Sequence, residues 1–351
     1  MQKSQQDLFK LHKFPTTRYQ GSKYKLREWI KQSLIDLEFE TAIDAFSGTS
    51  SVGYVLKEMG KQVYSNDILR FNYFVSKALI ENSKEQISED DIISVITRND
   101  SIIYSDFIKK TFQDIYYTEP ENEWLDIVAQ NILLVENKHK QAMLYWALYQ
   151  SCIAKRPYNL FHRKNLYVRT SDVDRKFGNK TTWDKPFEQH FRNFIKEINN
   201  AIFDNLKPNM SFWGDVFDLN ISADLVYIDT PYIPIKGTLT LYGEFYHFLD
   251  GLTDYKNWGD KIDYNSKHKK LHQPYSIWED KKNILLAFEK LISKFKNSII
   301  VISYREDGIP SIEELTGLLL VHNKTVKIKS VEYKYVLSKK QNAKEVLIIA
   351  E

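Results

Sequence analysis

The sequence predicts an α/β fold: a mostly parallel sheet with helices on its faces, a terminal antiparallel hairpin, and a mostly helical insertion in its middle. Three observations carry this. Residues 41–68 read strand, glycine-containing turn, helix, strand, acidic residue, which is one βαβ unit. Leu225-Val226-Tyr227-Ile228 and the run at 298–303 are short, apolar and β-branched, as buried strands are. The chain closes with an alternating run from Val326 towards Tyr335 and then Val346-Leu347-Ile348-Ile349, a hairpin pattern.

Taken in order, residues 15–23 are turn-rich and lead into a helical pattern at Leu26, Ile30, Leu34 and Leu37. The run at 41–46 enters a turn holding Gly48 and Gly53, then a helix stopped by Gly60. A second strand ends at Ser65-Asn66-Asp67-Ile68, and Phe71, Phe74, Val75, Ala78 and Leu79 continue as a helix. From about 83 to 205 helical stretches dominate, 122–135 and 139–154 among them. The expected division is therefore 1–82, 83–205 and 206–351. Within the insertion, 155–186 is irregular, basic and aromatic. Residues 233–275 show little periodicity and read as a long functional loop. A helix at Ile284, Leu285, Phe288, Leu291 and Ile292 precedes the strand at 298–303.

The 351 residues suffice for a sizeable core. A net charge of +3 permits nucleic-acid binding without arguing for it, so any basic surface must be local. One cysteine, Cys152, excludes an intrachain disulfide and a cysteine-based metal site, and no metal is expected. The N-terminus is polar and no run approaches the ~20 apolar residues of a membrane span, so a cytoplasmic protein without a membrane partner is expected.

Asp229-Thr230-Pro231-Tyr232 directly follows the strand at 225–228. Open α/β sheets bind ligands at that end of a strand. For four residues alone the alternative is a plain turn, with Asp229 capping and Tyr232 packing. Gly48 lets the backbone approach a ligand closely. Asp67 stands about twenty positions beyond, where the ribose hydroxyls of a nucleoside are held; its alternative is a cap for the helix that follows. No lysine of the triphosphate-binding kind follows the turn.

Together these segments resemble the Dam-type DNA adenine methyltransferases, which use S-adenosylmethionine. The resemblance runs through Arg18-Tyr19-Gln20-Gly21-Ser22-Lys23, Asp44-Ala45-Phe46-Ser47-Gly48, Asn66-Asp67-Ile68, Gly214-Asp215-Val216-Phe217 and the tetrapeptide, in the family's order. It covers roughly 15–80 and 205–305 and implies a Rossmann-like methyltransferase sheet interrupted by a target-recognition insertion. It also implies that Tyr19, Gly21 and Lys23 lie at the methionine part of the cofactor, with Lys23 near its carboxylate. Asp44, Phe46 and Gly48 would line the cofactor loop. Asp67 would take the ribose hydroxyls, Ile68 would pack on the adenine, and Asp215 and Val216 would hold the other edge of that ring.

The exocyclic nitrogen of adenine is a weak nucleophile because its lone pair is delocalised. By analogy with the family, Asp229 and the backbone carbonyl of Thr230 accept its two N–H bonds and free that lone pair. Pro231 stiffens the backbone, and Tyr232 stacks on a base flipped from double-stranded DNA. Thr230 replaces the family's first proline, and its carbonyl survives the change. Arg156, Asn159, Arg163 and Asn165 are the expected DNA contacts, and Tyr304 a wall of the base pocket. Such enzymes often serve restriction–modification, which makes a cognate restriction endonuclease a candidate partner. Cytosine, RNA or a glutamine side chain as substrate, and a silent DNA-binding module, stay open.

Overall fold

Seven strands form one sheet: β1 (Thr41–Asp44), β2 (Gln62–Asp67), β3 (Met210–Trp213), β4 (Leu225–Ile228), β6 (Ile299–Arg305), β8 (Val326–Tyr333) and β9 (Ala343–Ala350). Their order across the sheet is β3-β2-β1-β4-β6-β9-β8. The first five in that order pair in parallel, and β9 runs antiparallel to both β6 and β8. A separate antiparallel pair joins β5 (Ile233–Pro234) to β7 (Gly308–Ile309). This is the expected Rossmann-like sheet with its terminal hairpin. The computed structural model describes residues 12–173, 180–235, 239–333 and 343–351; the tip of the hairpin, with Tyr335, lies outside them.

Period-two alternation sorts the strand side chains onto two faces. Ala42, Leu225, Tyr227, Leu347 and Ile349 belong to one hydrophobic cluster. Ile43, Val226, Ile228, Ile348 and Ala350 belong to the other, with Phe288, Leu291 and Leu315 from the helices Ile284–Lys294 and Ile312–Val321. All four residues of β4 are buried. Burying each of its aliphatic side chains is worth roughly 1.5–3 kcal/mol.

On the first face lie helices α1 (Arg27–Leu34), α2 (Ser51–Glu58) and α3 (Arg70–Ser76), followed by the helices of the 83–205 region. The longest of these, Lys138–Ala154, is buried along its whole length from Gln141 onward. A helix apolar on every side sits inside a layered core, and this one packs between α3 and the helix Phe187–Asn199. Leu144, Leu148 and Phe191 fall in the same cluster as the sheet residues Ala42 and Leu225.

The stretch 233–275 departs from its expectation as a loop. It folds into the helices Tyr242–Phe245 and His247–Thr253 and several single turns, and its Phe248, Leu249, Leu252 and Trp258 enter the first core. Each piece is too short to display a helical period, which is why the sequence pattern is silent. Gly251 makes the packing possible, because a Cβ there would stand 2.0 Å from the Trp258 ring.

Candidate active site

Three neighbouring parallel strands, β2, β1 and β4, end at the same edge of the sheet, β1 one or two residues before the others. Asp44 is in register with Ser65 on one side and Tyr227 on the other. Asp67 closes β2, Asp44 closes β1, and Asp229 follows β4. Three carboxylates thus share the carboxyl edge of the sheet, where open α/β folds hold their ligands. They line a cleft with Tyr19, Gly21, Lys23, Phe46, Gly48, Ile68, Asn72, Thr230, Pro231, Tyr232 and Tyr242.

Asp44 Oδ2 accepts the N–H of Gly53 at 2.9 Å, so this carboxylate pins the first turn of α2 beneath the cleft. Burial pushes its pKa up to about 7. Asp67 accepts two backbone N–H groups, Gly48 on Oδ2 and Leu69 on Oδ1, both at 2.9 Å. It therefore holds the glycine turn instead of capping α3. Burial also raises its pKa, to about 6. Each oxygen keeps acceptor capacity, since a carboxylate offers about four lone-pair sites. Gly48 is left-handed at φ +49°, a conformation glycine adopts without cost. Ile68 is 56% exposed at the cleft edge.

The N-terminal turn docks onto this edge. Ser22 Oγ meets Thr49 Oγ1 at 3.1 Å, and the Gln20 N–H donates to Tyr246 Oη at 2.8 Å. Tyr19 stacks on Tyr246 and Tyr242, with centroids 4.4 and 5.5 Å away. Gly21 is left-handed at φ +79°, and a Cβ there would stand 2.3 Å from Tyr242 Oη.

Lys23 lines the cleft and is held by groups of the chain itself. Only 4% exposed, its Nζ lies 3.1 Å from Asp229 Oδ1 and 2.8 Å from Glu345 Oε1, and it donates to Tyr232 Oη. An ammonium has three donors, and here three acceptors meet them. Burial opposes its charge, but Asp229 and Glu345 outweigh that and raise its pKa. Tyr232 Oη donates to Asp229 Oδ1 at 2.6 Å. Asp229 Oδ1 is thus engaged twice, while Oδ2 has no hydrogen-bond partner among the described residues. Burial lifts the Asp229 pKa to about 6, with Lys23 pulling it down and Glu345 pushing it up. Thr230 Oγ1 and Asn72 Oδ1 are buried polar atoms without partners among the described residues, and both residues line the cleft.

Asp215 and Val216 are not brought into the cleft lining. Val216 is 3% exposed and packs in the second core, and exposed Asp215 accepts the N–H of Phe217. Their strand end is nevertheless tied beside Asp67, through Gly214 N–H to Asp67 O at 3.1 Å. Tyr304 is also not a wall of the cleft. It is 1% exposed and meets the Tyr232 ring edge-on at 5.5 Å, so it backs that ring from behind. Glu345, Tyr242 and Tyr246 escaped the sequence reading. The two tyrosines stand four apart, a spacing that would have placed them on one helical face; Glu345 had no local signal.

The basic segment of the insertion is partly internal. Arg156 is 1% exposed. It donates to the carbonyls of Leu160 and Arg163 and lies 4.3 Å over the Tyr116 ring, so it shapes the loop from below and does not face outward. Asn165 is buried too, at 5%. A guanidinium that donates to two carbonyls and lies over a ring can sit inside, here with Nη1 left without a hydrogen-bond partner among the described residues, which residue type alone does not reveal. Lys155 and Arg169 turn inward to Glu121. Arg163 and Lys164 are exposed, and Asn159 is partly so. Tyr158, 67% exposed, and Asn159 both hold positive φ. Arg175 and Lys176 lie outside the described residues. The loop abuts a second basic turn: Tyr116 Oη bonds the carbonyls of both Phe161 and His268, at 2.5 and 2.9 Å. Among the described residues no cluster could hold a metal ion, and no helix is long and apolar enough to cross a membrane.

Comparison with known proteins agrees with this geometry. The chain is 32% identical to the type II methyltransferase M2.HphI of Haemophilus parahaemolyticus, over 97% of this chain and 98% of that protein. It is 29% identical to the modification methylase StsI of Streptococcus sanguinis, over 92% of this chain and 49% of that protein. To the type II methyltransferase M.NlaIII of Neisseria lactamica it is 24% identical, over 85% of this chain and 86% of that protein. Residues 19–315 match the profile of the D12 class of N6 adenine-specific DNA methyltransferases, a family that generally uses S-adenosylmethionine. With the tetrapeptide at the end of β4 and the acidic cleft beside it, the chain belongs to the D12 class of N6 adenine-specific DNA methyltransferases.

Proposed function

We propose that this chain methylates the exocyclic amine of an adenine flipped from double-stranded DNA, with S-adenosylmethionine held in the cleft between β1, β2 and the N-terminal turn. The observation that carries the reading is the state of Asp229, a residue of the cleft lining: one oxygen is fixed by Lys23 and Tyr232, and the other has no hydrogen-bond partner among the described residues.

The residues present fit the cofactor. Asp67 keeps acceptor capacity for ribose hydroxyls. Exposed Ile68 offers an apolar ledge for the adenine ring, with Asp215 and Val216 beyond it. Gly48 leaves the turn open, and Asn72 and Thr230, whose Oδ1 and Oγ1 have no partner among the described residues, belong to the cleft lining. Phe46 and the Tyr19 stack close the apolar sides. When bound, the cofactor supplies an electrophilic methyl on a sulfonium centre.

Asp229 Oδ2 and the Thr230 carbonyl accept the two N–H bonds of the substrate amine, which favours a pyramidal nitrogen with its lone pair free. The chain then contributes position and electrostatics more than proton abstraction. After transfer the amine has one proton too many, and ionised Asp229 stands next to it as the acceptor. Tyr232, with its hydroxyl tethered, presents its ring to the base.

The helical region at about 83–205 serves as the target-recognition unit. Arg163 and Lys164 bind phosphates and Asn159 reads a base edge. Exposed Tyr158, at the strained turn, fills the gap that a flipped base leaves. Lys267 and Lys269 extend the basic surface from the neighbouring turn. The type II names of its relatives support a role as the modification partner of a restriction endonuclease.

Two binding measurements test this. Calorimetric titration with S-adenosylmethionine should show one site in the wild type, weakened at least tenfold in Asp67→Asn. Duplex DNA should bind with a steep salt dependence. Cofactor binding that ignores Asp67→Asn would contradict the assignment of the cleft.

A further inference from the structure

Glu345 stands on β9, 113 positions from Tyr232, and none of its surface reaches solvent. A carboxylate at that depth is costly unless it is paired and hydrogen-bonded. Its Oε1 meets Ser303 Oγ at 2.7 Å, Lys23 Nζ at 2.8 Å and Tyr232 Oη at 3.0 Å. These partners come from β6, the N-terminal turn and the tetrapeptide. Two of them, Lys23 and Tyr232, also hold Asp229 Oδ1. The register makes this reach possible: β9 pairs with β6 so that Arg305 faces Glu345, and β6 pairs with β4 so that Ile302 faces Ile228, next to Asp229.

We propose that Glu345 is a positioning residue for methyl transfer. It draws the Lys23 ammonium and the Tyr232 hydroxyl onto Oδ1 of Asp229, fixes the rotation of that carboxylate, and so leaves Oδ2 for the substrate amine. This rests on the function proposed above. The terminal hairpin thereby completes the active site, although no motif of the sequence lies on it. Two anions, Asp229 and Glu345, share one cation, Lys23, so the group carries one excess negative charge beside a cleft proposed to hold a sulfonium. Asp44 on β1 faces Asp229 as well, and Tyr227 and Tyr242 are the neutral groups around it.

Replacing Glu345 with glutamine keeps the shape and an acceptor but removes the charge. Its charge alone would move the titration of Asp229, so the plateau rate is the readout that separates positioning from a structural role. The test is single-turnover methyl transfer to adenine-containing duplex DNA, from about pH 5 to about pH 8, for wild type, E345Q, K23M and S303A. The wild-type rate should fall on the acid side as Asp229 protonates near pH 6. In E345Q the plateau rate should drop about tenfold or more, with cofactor and DNA affinities within about twofold, and the acid limb should move to lower pH. In K23M the limb should move the opposite way. An unmoved plateau in E345Q would overturn the proposal. So would a lower melting temperature as the only change. If E345Q does not fold, S303A decides, because it removes one donor and leaves the charge: a several-fold loss of rate at unchanged affinities is expected, and a wild-type rate refutes the proposal. A wild type that moves no methyl to DNA would instead refute the function itself.

Discussion

Asp44, Asp67 and Asp229 differ in what they do although they sit at three adjacent strand ends. Asp44 holds a helix, Asp67 holds a turn, and Asp229 keeps one oxygen without a hydrogen-bond partner among the described residues. Burial raises all three pKa values. For Asp44 the folded value of about 7 lies above the unfolded one of about 4. Its contribution to stability is therefore present in full below about pH 4 and lost as the pH rises through about 7. Asp44→Asn, which cannot ionise, should match the wild type near pH 4 and exceed it by up to about 4 kcal/mol near pH 8. Paired urea titrations at the two pH values check this, and an equal difference at both would contradict it. At this scale the sequence was legible where a residue has a fixed spacing from a strand, as Asp67 and Asp229 do. It was silent where two residues meet only through the tertiary fold, as Glu345 and Tyr232 do, and misleading where a charged side chain turns inward, as Arg156 does.

Among the elements, the N-terminal turn depends on Gly21. Its left-handed φ and the nearby Tyr242 hydroxyl leave no comfortable place for a side chain. Gly21→Ala should weaken S-adenosylmethionine binding by about tenfold, at a backbone cost of roughly 1–2 kcal/mol, measured by calorimetry and thermal melting. An unchanged affinity would detach this turn from the cleft. Gly251 tests the folding of the 233–275 stretch. In a helix, Gly→Ala normally gains up to about 1 kcal/mol. Here the new methyl meets the Trp258 ring, and overpacking typically costs about 1–3 kcal/mol. The clash should win, so Gly251→Ala should lower the urea midpoint; a raised midpoint would mean that the tryptophan yields. The strands and long helices were legible because period two and period 3.6 each recur several times within them. The short turns of 233–275 are held by Phe248 and Trp258 reaching a core built by distant residues, and that leaves no local trace.

For the molecule as a whole, the sheet gathers the residues proposed to hold the cofactor at one edge, and the helical layer carries Tyr158, Arg163 and Lys164 on its surface. The net charge of +3 gave no hint of where DNA would bind, because the internal pairing of Lys155 and Arg169 with Glu121 removes charges that look available in the sequence. Each DNA phosphate that is no longer neutralised by a side chain should flatten the dependence of log K on log salt by about 0.9. The double variant Arg163→Ala, Lys164→Ala should therefore flatten it by about 2 without altering cofactor affinity, as read by fluorescence anisotropy across a salt series.

The most direct measurement is the fate of a labelled methyl group. The enzyme is incubated with labelled S-adenosylmethionine and unmethylated genomic DNA, beside Asp229→Ala, and the product nucleosides are separated. Label confined to N6-methyladenine, and absent with Asp229→Ala, is the result predicted here. Label in N4-methylcytosine, or label in N6-methyladenine that persists without the Asp229 carboxylate, would contradict it.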